Sequence, residues 1–93
     1  MAVSIHIPGH LRQYTGGAAR VDFSPAPATV GAALSALWER HPGVRDRVVT
    51  ERGDVRTHVN VFVGSESIRY LGGLDAQVAD GEEISIIPAV SGG

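Results

Sequence analysis

The apolar residues of this chain follow two different periods, and that contrast limits the folds open to it. From Val30 to Trp38 they recur at intervals of three and four. Val30, Ala33, Leu34, Leu37 and Trp38 form one stripe, with Ser35, Glu39 and Arg40 on the far side, the pattern of a helix buried along one face. Elsewhere they alternate. Val3, Ile5 and Ile7 flank Ser4 and His6, Val59, Val61 and Val63 flank Asn60 and Phe62, and Ile84 and Ile86 flank Ser85, as in strands with one buried face. Val21-Asp22-Phe23 adds a further short strand, which returns beside the first after a turn holding Gly16-Gly17. A single helical stripe has to be covered, and a sheet is what these strands offer it.

Turn and cap residues place the boundaries. Pro8-Gly9 stops the first strand, Pro25 and Pro27 break regular pairing, and Thr29 stands where a helix N-cap is expected. His41-Pro42-Gly43 is read as the end of the helix. Residues 44–56 are charged and mixed, with Val48-Val49 as their only apolar pair, and are read as an irregular excursion or a short helical turn. Gly64-Ser65 turns the Val59–Val63 strand, taken as central, into a hairpin with Ser67-Ile68-Arg69. Leu71 to Val78 gives a short turn under the sheet, and Asp80-Gly81 leads into a last strand from Glu83 to Ile87. The order predicts an α+β fold, a mixed sheet of about five strands around one main helix, the β-grasp or ubiquitin-like arrangement. At 93 residues the chain is long enough for one core and too short for two, so residues 1–93 are expected to be one domain with a flexible tail over 88–93.

Composition removes several kinds of chemistry. Hydrophobic residues at 43% and charged residues at 19% place the chain among folded domains. A net charge of -2 with a pI near 6.0 gives no broad attraction to phosphate backbones or anionic lipids, so neither nucleic acid nor membrane is an expected partner. No segment approaches the roughly 20 apolar residues of a membrane span, and no basic stretch leads into a long apolar run. A soluble cytoplasmic protein is the expectation. Cysteine is absent, which excludes disulfides, thioesters and side-chain persulfides, and lysine is absent too, all eight basic residues being arginine. His6 and His10 are four apart, but Pro8-Gly9 prevents the helical face a metal pair at that spacing requires, so no metal site is expected. No resident cofactor is expected either, since neither Gly16-Gly17 nor Gly72-Gly73 sits in a nucleotide-binding glycine motif.

The chain end carries the strongest local signal. In Ile86-Ile87-Pro88-Ala89-Val90-Ser91-Gly92-Gly93 an apolar strand meets a proline, which cannot continue a central ladder, and two glycines follow. Extended, the last six residues reach roughly 20 Å, enough to enter a neighbouring active site. Glycines at 92 and 93 remove the Cβ atoms that would obstruct a narrow channel. The expected working group is the Gly93 carboxylate, carried on Val90, Ser91 and Gly92; the alternative on the tail alone is an end that simply frays, as chain ends commonly do.

The body agrees with the tail. Val3-Ser4-Ile5-His6-Ile7-Pro8, the Thr29–Leu37 helix, His58-Val59-Asn60-Val61-Phe62-Val63, Arg69-Tyr70-Leu71-Gly72-Gly73-Leu74 and Asp80-Gly81-Glu82-Glu83-Ile84-Ser85-Ile86-Ile87-Pro88 together resemble the MoaD/ThiS family of sulfur carriers over essentially the whole length. Within it the ending is most similar to carriers that feed an O-phosphoserine-dependent cysteine synthase. The resemblance implies that the carrier is a protein co-substrate and not itself a catalyst. An E1-like adenylating enzyme of the MoeB/ThiF type would use ATP to activate Gly93, and a sulfur donor would leave a thiocarboxylate. The acceptor would be a PLP-dependent cysteine synthase-like enzyme, a ThiG-like barrel synthase or the large subunit of molybdopterin synthase. Two other readings share the fold and tail: a ubiquitin-like modifier joined to lysines through Gly93, and a permanent small subunit of molybdopterin synthase.

Alternation also predicts a docking surface. If the odd-numbered valines from 59 to 63 are buried, Phe62 faces outward, and the same parity turns Ile87 and His6 away from the helix, with Arg69 as a rim charge. The alternative is that the 44–56 excursion covers Phe62.

Overall fold

The computed structural model describes residues 2–88. The two periods resolve as a sheet and a helix. Strands β1 (Val3–His6), β2 (Arg20–Phe23), β3 (Val59–Val63), β4 (Glu66–Ser67) and β5 (Glu83–Pro88) form one mixed sheet in the order β2-β1-β5-β3-β4. β1 and β2 are an antiparallel hairpin, β5 runs parallel to β1 and antiparallel to β3, and β4 closes the far edge. Helix α1 (Val30–Arg40) buries Val30, Ala33, Leu34 and Leu37 against Ile5, Ile84, Ile86 and Val61, with Trp38 partly buried beside them. This is the expected β-grasp architecture.

Thr29 acts as the N-cap, its hydroxyl accepting from the Ala32 amide at 3.1 Å. That bond satisfies one of the amides a helix start leaves unpaired. Thr29→Ala is therefore expected to cost about 1 kcal/mol, read as a fall in melting temperature of roughly 4–8 °C. Gly31, in the first turn, lets a 3₁₀ turn at Gly73–Asp75 approach closely: a Cβ there would stand 3.1 Å from the Leu74 carbonyl oxygen.

Several sequence expectations need correction or extension. His41-Pro42-Gly43 ends α1 and also starts a second helix, α2 (Pro42–Val48), with proline in its first turn, where the missing amide costs nothing. Val44 and Val48, one turn apart, are both fully buried, and Val49 is buried and pairs across to Val55, so these valines anchor the 44–56 segment to the core while its charged residues stay at the surface. The central strand is β5; β3 is interior but lies between β5 and the two-residue β4. The predicted Ser67-Ile68-Arg69 strand becomes a 3₁₀ turn at Ile68–Tyr70 after Ser67, whose hydroxyl accepts from the Arg69 amide. Finally, Pro88, expected to open the tail over 88–93, is the last residue of β5 and pairs with Val59. No described helix is long and apolar enough to cross a membrane.

Candidate functional site

The strand that leads to the tail is the most firmly held in the molecule. Ile84 and Ile86 are 0% and 1% exposed, and β5 is hydrogen-bonded on both sides, to β1 through Ser4, Ile5 and His6 and to β3 through all five of its residues. Pro88 lacks an amide to donate and is tolerated because it sits at the strand end. Val90, Ser91, Gly92 and Gly93 lie outside the described residues. Pro88 itself stands at the end of the sheet where β1 finishes and β3 begins.

The outward face of the sheet can be read from the register. Arg20, His6, Ser85, Phe62 and Ser67 stand in one row across β2, β1, β5, β3 and β4. Ile87 is opposite Asn60 and so diagonal to Phe62, at the roughly 7–8 Å that long and aromatic side chains can bridge. Phe62 is half-buried yet belongs neither to the core nor to the side chains packed on it, whereas Val44, Val48, Val49 and Val55 of the excursion do. The excursion thus lies on the helix side, and Phe62 faces outward. Ile87 is 44% exposed beside it. His6 is on the same face but two strands from Phe62, with the small Ser85 between them, so the expected continuous apolar patch reduces to the Phe62–Ile87 pair. A shallow groove runs over Ser85 between His6, Pro8 and Ile87.

Arg69 is not on this face. Because β4 stops at Ser67, the following 3₁₀ turn carries Arg69 round the edge, where Nη2 donates to the Thr57 carbonyl at 3.4 Å. There it lines a cleft of about 250 Å³ on the helix side with Asp54, Val55 and Leu74. Sequence reasoning missed Arg56 and His58, which immediately precede β3 and so share the Pro88 end of the sheet. Their signal was available only through the register, since nothing in the sequence says that β3 runs antiparallel to β5. Among the described residues no group of three His, Asp or Glu side chains comes together in a way that could hold a metal ion.

This geometry, a β-grasp body whose central strand ends at Pro88 with a Ser-Gly-Gly terminus beyond it in sequence, has counterparts among known proteins. The ThiS family model matches residues 5–93. The chain belongs to the ThiS family. It is 38% identical over 95 aligned residues to the sulfur carrier protein CysO of Mycobacterium tuberculosis, with all of both chains covered. Its structure is similar to that of the chain in the Amycolatopsis orientalis BexX/CysO complex, with a TM-score of 0.89, 40% identity and coverage of 99% of this chain and 100% of that one. It is also 39% identical over 74 residues to small archaeal modifier protein 1 of Haloferax volcanii, covering 80% of this chain and 79% of that protein. ThiS-family membership is thus carried by body and tail together, as the match running from Ile5 to Gly93 requires.

Proposed function

We infer that this chain is a sulfur carrier of the CysO type, and that Gly93 is its sulfur-bearing residue. The observation that carries the reading is full-length similarity to CysO combined with a central strand ending five residues short of a diglycine terminus. The chain itself performs no catalysis. An adenylating enzyme transfers AMP from ATP to the Gly93 carboxylate and releases pyrophosphate, turning a poor electrophile into a mixed anhydride. A sulfur donor then attacks the acyl carbon and AMP leaves, so one carboxylate oxygen is replaced by sulfur. The thiocarboxylate is anionic and its sulfur nucleophilic, as thiolates are. It attacks an electrophilic carbon held by an acceptor synthase, and hydrolysis of the resulting acyl–sulfur bond leaves sulfur on the acceptor and restores the Gly93 carboxylate. With no cysteine in the chain, sulfur has no other covalent seat.

Intact-mass analysis after incubation with an adenylating enzyme, ATP and sulfide tests this. The expected product has one oxygen exchanged for sulfur at the C-terminus. Conjugates on lysines of other proteins, formed instead, would favour the modifier reading, which the likeness to the archaeal modifier keeps in view.

Phe62 and Ile87 supply the apolar contact for the adenylating enzyme. Ile87→Glu places a charge on a side chain already exposed, so its stability cost stays under about 1 kcal/mol. The rate of loading is expected to fall about tenfold in kcat/KM, mainly through KM, as for a hot-spot residue worth about 1.4 kcal/mol. Steady-state loading kinetics beside a melting curve check both halves.

A further inference from the structure

The net charge of -2 conceals a separation of charge along the strand axis. Because β5 is parallel to β1 and antiparallel to β3, one end of the sheet collects the start of β5 and the β3–β4 turn, and the other collects Pro88 with the start of β3. The first end carries Glu66, Asp80, Glu82 and Glu83, with Arg40 as the basic residue beside them, held by its 2.9 Å bond to the Asp22 carbonyl two strands from Glu83. The Pro88 end has the opposite sign. His58 directly precedes Val59, the partner of Pro88, and is exposed. Arg69 is tied to the Thr57 carbonyl at 3.4 Å and Arg56 through Nε to the Asp46 carbonyl at 2.8 Å. The Arg47 guanidinium lies 5.3 Å from the Tyr14 ring centroid and shares a cleft with Arg56 and His58.

These arginines are positioned without being neutralised. Their partners are main-chain carbonyls and an aromatic ring, and the ion pairs among the described residues, Arg20–Asp22 and Arg45–Asp46, use none of the three. The carboxylates at this end are Asp46, lining the same cleft and paired with Arg45 at 3.4 Å, and Asp54, which lines the Arg69 cleft. Arg52 and Glu51, neighbours in the loop, offset each other. Four guanidiniums thus face two carboxylates, before His58 is counted. Such an arrangement orients a molecule in the field of an acidic partner and raises encounter rates by about 10- to 1,000-fold, independently of net charge.

We propose that the basic rim formed by Arg47, Arg56, His58 and Arg69 docks on an acidic rim around the channel of the adenylating enzyme, so that the carrier arrives with its Pro88 end foremost. This rests on the sulfur-carrier reading for its partner. Its charge geometry can be tested apart from that reading. The first probe is poly-L-glutamate, titrated at low ionic strength into the isotope-labelled carrier and followed by amide NMR shifts. Shifts are expected at residues 56–59 and 69, lost in the Arg56→Gln/Arg69→Gln double variant and retained in Arg56→Lys, which keeps the charge but not the Nε bond to Asp46. No binding, shifts confined to the Phe62–Ile87 face, or loss in Arg56→Lys equal to that in Arg56→Gln would overturn the proposal. The second probe is the adenylating enzyme itself. The double variant should load with kcat/KM reduced about tenfold at low salt and equal to the unaltered chain near 1 M salt, where screening reaches about 3 Å. If loading is normal and salt-independent in both, the rim plays no part and the carrier reading stands. If Gly93 is never loaded, the carrier reading falls, and the poly-L-glutamate titration still decides the charge geometry.

Discussion

Removal of Gly93 is expected to stop sulfur loading while leaving the melting temperature where it was. The variant still ends in a carboxylate, now on Gly92, so the chemistry of the group is conserved and only its reach is altered. One residue of extended chain is roughly 3.3 Å, and misplacing a reacting atom by about 1 Å already costs on the order of a hundredfold in rate. Loading should therefore drop by at least that factor, in kcat more than in KM, because Phe62, Ile87 and the basic rim remain to bind. Stability should not move, since the hydrogen-bonded ladder of β5 ends at Pro88, five residues earlier in the sequence. Adding one alanine after Gly93 is the matched control, overshooting by the same distance with a side chain on the terminal residue. Intact-mass analysis with ATP and sulfide reads both variants; normal thiocarboxylate formation in either would remove Gly93 from the proposed role.

The fold was legible wherever one face of an element is buried and the other is not. Val3/Ile5, Val59/Val61/Val63 and Ile84/Ile86 announce their strands through parity, and Val30 to Trp38 announces α1 through its stripe. The same parity placed Phe62 and Ile87 on the outward face. Three features escaped for identifiable reasons. For α2 the sequence offers no more than a short helical turn within 44–56 as one of two readings, because only Val44 and Val48 are buried among charged neighbours, too few to show a period, and Pro42 reads as a stop although proline serves equally well in a first turn. Strand order is not local information: β3 and β5 each carry three β-branched residues, yet β5 is central because it alone pairs with both β1 and β3. Arg69 was misplaced because a strand expected to continue to it ends two residues sooner. The charged rim was hidden for a related reason. Summed over the chain its arginines are cancelled by carboxylates at the other end of the sheet, and only the β3–β5 register separates the two groups.

Ile84→Ala should be the most damaging single substitution in the body of the protein. Ile84 is 0% exposed and stands on the central strand with Ile5 as its register partner on one side and Val63 on the other. Truncation removes three buried carbons and leaves a cavity bounded by two hydrogen-bonded neighbouring strands, which cannot move inward without breaking ladder bonds on both sides. The cost belongs in the middle of the 2–5 kcal/mol range for such changes, about 3 kcal/mol. For a domain of this size each kcal/mol lowers the melting temperature by roughly 4–8 °C, so a fall of about 12–24 °C is expected. Ile84→Val, which removes one methyl group and keeps the β-branch, should cost only about 1 kcal/mol. The contrast bears on function as well as stability. β5 directly precedes the tail in the sequence, and on the sulfur-carrier reading a loosened β5 should lower the loading rate at temperatures where the unaltered chain is fully folded. Thermal denaturation of the two variants beside loading rates at two temperatures measures this. Equal melting temperatures for Ile84→Ala and Ile84→Val would mean that the centre of the sheet is not held as tightly as its burial and pairing require.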